Sequence, residues 1–179
     1  MIACIGWGSL IWRPDGLPLG GPWEEDGPKL PVEFARQSSD GRVTLVIVET
    51  SQPIETLWAP METTDLDVAR EQLKDREGTV ISRIAVQTLD GPIGPSQAHQ
   101  IVHDWLRVRQ LDAAIWTALG PRWRGEDGVV PTSDALLNYL RSLTGSTAEK
   151  AEEYVRSAPR QIRTALRAVM EDHLGWVPI

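Results

Sequence analysis

The chain reads as an α+β fold, on three observations. Short apolar, β-rich runs parted by turn residues fill the first ninety positions. Apolar residues at spacings of three and four dominate the remainder. Strands come first and helices after, an order that argues against a doubly wound parallel sheet. The length of 179 residues suits one domain. The expected organisation is a strand-rich core over residues 1–95 and a helical extension over 96–179, packed on the same domain.

Ile2 to Ile5 is an apolar run stopped by Gly6, as a buried strand would be. Residues 14–31 carry Pro14, Pro18, Pro22, Pro28 and Pro31 and read as a long loop. A loop of that length inside a compact domain is often a binding loop or lid. Val32 to Gln37 and Arg42 to Val48 flank Asp40-Gly41, a hairpin signal. Ile54 to Ala59 is a fourth strand, ended by Pro60. Thr63-Thr64-Asp65 has the form of a helix start. Leu66, Ala69, Leu73 and Glu77 then fall on one face, and Gly78 fits the helix end. Thr79 to Leu89 reads as a fifth strand. The remainder reads as helices: about Ser96 to Leu119, then one capped by Thr132 or Ser133, then one opened by the Ser146/Glu149 capping-box pattern. A last helix is expected to start at Pro159, with Ile162, Leu166, Val169, Met170 and Leu174 as its apolar stripe.

Composition limits the function. The net charge is −7, and residues 1–100 hold 8 basic against 15 acidic residues, whereas residues 101–179 hold ten of each. No basic patch or helix stands out, so neither nucleic acid nor an anionic membrane surface is an expected partner. No apolar run reaches the roughly 18 residues of a membrane helix. Met1 to Ile5 lacks the basic start and length of a signal peptide. One cysteine, Cys4, allows neither an internal disulfide nor a cysteine-based metal site, and fits a cytoplasmic setting.

Gly6-Trp7-Gly8-Ser9-Leu10 follows the first strand directly. Glycines there permit a sharp turn and close approach of a ligand to the main chain. Consecutive N–H groups in such a turn make a concave site for a carboxylate or phosphate. A tight turn with no ligand uses the same residues. The dinucleotide fingerprint is not met, because its third glycine would fall at Ile11. The run from Gly6 to Pro14, Gly-Trp-Gly-Ser-Leu-Ile-Trp-Arg-Pro, resembles the glycine loop of the γ-glutamylcyclotransferase superfamily, in its ChaC-like version. Trp7 stands where that loop usually carries tyrosine.

The superfamily uses one catalytic glutamate near a helix end, and Leu73-Lys74-Asp75-Arg76-Glu77-Gly78 is similar to that segment, with Glu77 in its place. The resemblance covers residues 2–90 in the order of elements and is specific at the loop and at Glu77. It implies a mixed, barrel-like sheet and an internal cyclisation: the substrate's α-amine attacks its own γ-glutamyl carbonyl, releasing 5-oxoproline and a free amine or peptide. Glu77 would be the general acid and base, Trp7, Gly8, Ser9 and Leu10 would bind a small γ-glutamyl substrate, and neither metal nor cofactor is needed. Glu77 is also unusual by itself. Acids are disfavoured in the last turn of a helix, where Glu77 lies, although Lys74 and Arg76 beside it offset the field. An ordinary solvated glutamate is the competing reading. Two rival functions follow: a binding or interaction protein that keeps the fold without catalysis, and an enzyme of this fold acting on another amide.

Other residues carry weaker signals. His99 and His103 share a helical face with a possible metal spacing but lack the glutamate of a zinc-protease motif, and read as surface histidines. Cys4 reads as a small buried apolar residue. Arg36 lies at a strand end, within reach of an anionic group or simply solvated. Among eight tryptophans, Trp7, Trp12 and Trp23 fall around the proposed pocket and could form an aromatic wall, or a cation–π site for an amine leaving group. The tail helices could cover the sheet, shape the pocket or pair two copies.

Overall fold

A computed structural model describes all 179 residues. The architecture is α+β, with mixed sheets and five helices and no closed barrel. The strands are β1 (Ile2–Gly6), β2 (Lys29–Leu30), β3 (Val32–Gln37), β4 (Val43–Ile47), β5 (Ile54–Glu55), β6 (Leu57–Pro60), β7 (Ile84–Thr88), β8 (Ala113–Thr117), β9 (Arg122–Trp123) and β10 (Glu126–Asp127). The helices are α1 (Leu66–Glu77), α2 (Gln97–Arg109), α3 (Ser133–Ser142), α4 (Gly145–Ser157) and α5 (Ala165–Leu174). No helix is long and apolar enough to cross a membrane.

The chain divides into two compact units, and the division is not at residue 95. One unit holds Met1–Leu30 with Glu55–Ala118, the other Pro31–Ile54 with Leu119–Ile179. The reason is β8. Residues 96–119 do not form one helix: Gln110 takes a left-handed conformation (φ 55°) that ends α2. Ala113 to Trp116 are then buried without interruption, a pattern that only a central strand satisfies here.

The first unit is built on an open sheet in the order β6-β1-β8-β7. β1 pairs antiparallel with β6 and parallel with β8, and β7 closes antiparallel on β8. Helix α1 packs on the face carrying Ile2, Cys4, Ala113 and Ile115, contributing Ala69 and Leu73. Leu10 and Leu17, from the turns after β1, join the same cluster. A fully buried leucine such as Leu73 contributes about 1.5–3 kcal/mol, and it fixes the rotation of α1 on the sheet. Helix α2 meets the opposite face, where the His99 ring lies edge-on to Trp116 at 5.0 Å.

The ends of α1 follow local chemistry. The Asp65 carboxylate accepts from the Asp67 and Val68 N–H groups, and Gly78 (φ 58°) closes the helix in the left-handed region. The stretch from Thr79 begins as a short 3-10 turn at Ile81–Arg83 before β7. The proline-rich loop is pinned along its length rather than left free to close as a lid. The N–H groups of Gly20, Glu24 and Gly27 donate to the carbonyls of Pro60, Trp58 and Thr56.

In the second unit the sheet order is β10-β9-β3-β4, with the β3–β4 hairpin turning at Gly41 (φ 86°). Thr132 caps α3 through its hydroxyl. Two expected helix starts fall elsewhere. Thr144, not Ser146, is the cap position of α4, and its side chain makes no capping bond. The last helix starts at Ala165, capped by Thr164, because Pro159 to Arg163 form an irregular link. The carbonyls freed by that link are taken by Arg167. The buried Glu33 carboxylate accepts from the N–H groups of Phe34 (2.8 Å) and Leu166 (3.2 Å), so it stands at the favourable end of α5.

Candidate functional site

The site lies in the first unit, where β1 runs out into the glycine loop and α1 reaches its last turn. The Gly8 carbonyl accepts from the Ile11 N–H at 3.0 Å, and the Ser9 carbonyl from the Arg13 N–H at 2.8 Å. These bonds wind residues 8–13 into about one helical turn. They use the carbonyls of Gly8 and Ser9 and leave the Gly8, Ser9 and Leu10 N–H groups at the opening outside the turn's own bonding. Gly6 is required for space rather than for an unusual dihedral. A Cβ there would meet Ile11 Cδ1 at 2.8 Å and two Trp23 ring atoms at 3.0 Å. Leu10 and Trp7 are buried, and Gly8 and Ser9 are half-buried between them.

Glu77 is not a solvated surface acid. Its side chain keeps 17% of its exposure, and that of its neighbour Arg76 keeps 7%. Arg76 Nη1 donates to Glu77 Oε1. Arg76 Nη2 donates to the Ser9 hydroxyl at 3.4 Å and to the Arg13 carbonyl. One guanidinium therefore joins the carboxylate to both ends of the glycine-loop turn. Glu77 and Ser9, 68 positions apart in the sequence, stand no farther apart than a guanidinium's width and two hydrogen bonds. The same helical phase that buries Ala69 and Leu73 brings Arg76 inward, three residues past Leu73 and seven past Ala69. The buried Nε of Arg76 has no hydrogen-bond partner.

Cys4 lies beneath, in β1, and is fully buried. Burial pushes its thiol far above the usual range, the Glu77 charge pushes it further, and Arg76 partly offsets both. A thiol held neutral in this way is neither a nucleophile nor a metal ligand at ordinary pH. It belongs to the apolar cluster that Ala69 and Leu73 of α1 pack into.

Comparison of the chain with family models, with curated proteins and with solved structures gives no match. The functional reading therefore stands on this chain's own residues.

The structure brings together Glu77, Ser9 and the turn that holds Gly8 and Leu10. Trp7 follows Gly6 but is nearly covered, and Trp23 packs across Gly6. Trp12 is half-buried. The remaining candidates have local partners. His99 Nδ1 pairs with the Ser96 hydroxyl at 2.7 Å, and His103 Nε2 with the Leu89 carbonyl at 3.2 Å. No group of three His, Cys, Asp or Glu side chains is placed to hold a metal ion. Arg36, in the second unit, is half-buried and donates to the Gly120 carbonyl at 3.0 Å, so it is not a solvated arginine. The residue that sequence reasoning missed is Arg76. It was visible only as a charge flanking Glu77, although its spacing from Ala69 and Leu73 already put it on the buried face.

Proposed function

We propose that this protein is a γ-glutamylcyclotransferase-like enzyme that cyclises a γ-glutamyl amide or peptide to 5-oxoproline. The observation that carries the reading is the half-buried Glu77 carboxylate tied through Arg76 to the glycine-loop turn. In this reading the Gly8, Ser9 and Leu10 N–H groups receive the anionic part of the substrate, its α-carboxylate or the developing oxyanion. Glu77 takes a proton from the substrate's α-ammonium. The freed amine attacks the γ-carbonyl carbon and gives up a second proton as the ring amide forms; the bond from that carbon to the leaving nitrogen breaks, and both protons pass by way of Glu77 to that nitrogen, which departs as an ammonium. No water is added and no protein nucleophile takes part. Holding both reacting groups of one substrate in register replaces an encounter by a positioned step, worth up to about 7–11 kcal/mol of barrier. The γ-glutamylcyclotransferase-like fold belongs to the same proposal, supported by the order glycine loop, hairpin, helix with a terminal glutamate, then strand.

A second reading has an observation of its own. Glu77 already pairs with Arg76, and such a pair could serve solely to brace the turn in a binding protein.

The test is release of 5-oxoproline from a panel of γ-glutamyl peptides and amines, with Glu77→Gln alongside. The amide oxygen of glutamine can still accept from Arg76, so the fold should persist while the proton carrier is lost. Turnover by the wild-type chain and a fall of at least about 100-fold in the variant are expected, the size general acid–base groups supply. Undiminished turnover in Glu77→Gln would remove Glu77 from the mechanism. Absence of release across the panel favours the bracing reading.

A further inference from the structure

We infer that Arg76 is a positioning residue for Glu77, an inference that rests on the reading of Glu77 as the proton carrier. Three features support it. The guanidinium is almost fully covered, so its orientation is set by packing rather than averaged by solvent. Its two Nη atoms divide their work: Nη1 holds Glu77, while Nη2 holds the Ser9 hydroxyl and the Arg13 carbonyl. A planar fork with fixed angles between its donors turns that division into a fixed spatial relation between carboxylate and turn. Glu77 alone has no such restraint, because it is the last residue of α1 and Gly78 follows in a left-handed conformation. The Gly78 and Thr79 N–H groups cap the backbone of that last turn on the Asp75 and Lys74 carbonyls, but the cap does not hold the Glu77 side chain, which without Arg76 would exchange among its rotamers and spend little time in reach of the turn's N–H groups.

Arg76 does not touch the reacting atoms in this account. Engaging Oε1 leaves the second carboxylate oxygen to meet the substrate's ammonium. Lysine is not an equivalent. A single ammonium on a flexible stem has no fixed fork with which to span the carboxylate and the turn. Lys74, two residues earlier in the same last turn, shows the contrast: it pairs with Glu71 and Asp75 at the surface and connects nothing beyond α1.

The experiment compares Arg76→Ala, Arg76→Lys and the wild-type chain in 5-oxoproline release, with circular dichroism confirming the fold. Arg76→Ala is expected to lower kcat by about 100-fold with KM shifted less than about threefold, since small misplacements of a reacting group cost that much. Guanidinium ion added in solution should restore part of the lost kcat in Arg76→Ala and none in Glu77→Gln. Arg76→Lys should remain well below the wild-type rate. A rise in KM at unchanged kcat would make Arg76 a substrate-binding group and overturn the inference, as would a folded Arg76→Ala variant with normal turnover or no response to guanidinium. Should Arg76→Ala fail to fold, Arg76→Lys decides: full wild-type kcat there overturns the inference. A wild-type chain that releases no 5-oxoproline from any panel member refutes the Glu77 reading, and this inference falls with it.

Discussion

Replacing Arg167 by methionine tests the packing of the second unit. The Arg167 side chain is 1% exposed. Its Nη1 donates to the carbonyls of Pro159 (2.6 Å) and Ile162 (2.9 Å), and its Nη2 to those of Ala158 (2.8 Å) and Val155 (3.4 Å). Nε lies 3.1 Å from Glu171 Oε1. Burial lowers the pKa of this guanidinium below its ordinary value, and Glu171 works in the opposite direction. Methionine has similar length and no polar atom, so four carbonyls at the end of α4 and in the link before α5 lose this donor, and three of them are left unpaired, because Pro159 still accepts from the Ile162 N–H. A buried polar group left unpaired costs about 1–3 kcal/mol. Taking the low end for each of the three, because water will reach some of them, gives a loss of about 3 kcal/mol, at the lower edge of the range for breaking a buried charged pair. For a chain of this size that lowers Tm by roughly 6–12 °C. Urea unfolding followed by circular dichroism and tryptophan fluorescence would measure it. Arg167→Lys should fall between, since lysine offers three donors in place of five. A loss below about 1 kcal/mol in Arg167→Met would refute the claim that this one side chain satisfies the link.

Two further outcomes follow from the first unit. Gly27→Ala would place a Cβ 2.6 Å from the Thr56 carbonyl oxygen, an atom of the backbone that cannot swing away. The loop must part from Thr56, so a loss of about 1–3 kcal/mol is expected, read as a lower urea midpoint; an unchanged midpoint would contradict it. His99 has a pKa lowered by burial. The unfolded chain thus takes up a proton more readily, and the stability His99 confers is present above about pH 6.5 and is lost as pH falls through the folded pKa. His99→Asn should flatten stability against pH in that window, and an unaltered slope would place the dependence on another group.

The sequence disclosed those parts of the fold whose signals are local. Asp65 and Gly78 bound α1 as their residue types require, and Asp40-Gly41 turns the hairpin. β8 was missed because Ala113 to Trp116 is a short apolar run with no alternation, and such a run looks alike in a buried helix and in a central strand. Which it becomes is decided by β1 and β7 on either side, and that is long-range information. The division into compact units follows the same long-range pairing: β8 belongs to the first unit's sheet, while the β3–β4 hairpin belongs with the C-terminal helices. The start of α5 was misplaced because Pro159 is a good first residue for a helix, yet the buried Arg167 makes an irregular link affordable there. At the site, the loop and Glu77 were legible as residue types. Their connection was not, because a hydrogen bond from Arg76 to Ser9 depends on how α1 is rotated on the sheet.

That rotation is where core and site meet. Lys74 and Arg76 share the last turn of α1 and both neighbour acids, but about 100° of helical phase separates successive residues. Lys74 therefore faces solvent with Glu71 and Asp75, and its pairs can contribute little to stability. Arg76 and Glu77 face inward over Cys4, where a charged pair must give up much of its hydration. Apolar side chains of the same volume would serve stability as well or better at such a place. Ala69 and Leu73, buried without exposure, hold the helix in the phase that imposes this cost. A carboxylate kept at the unfavourable end of a helix, partly desolvated and tied to a turn of unused amides, is expensive as a brace and well suited to proton transfer. On that balance the proton-transfer role for Glu77 is favoured over the bracing role.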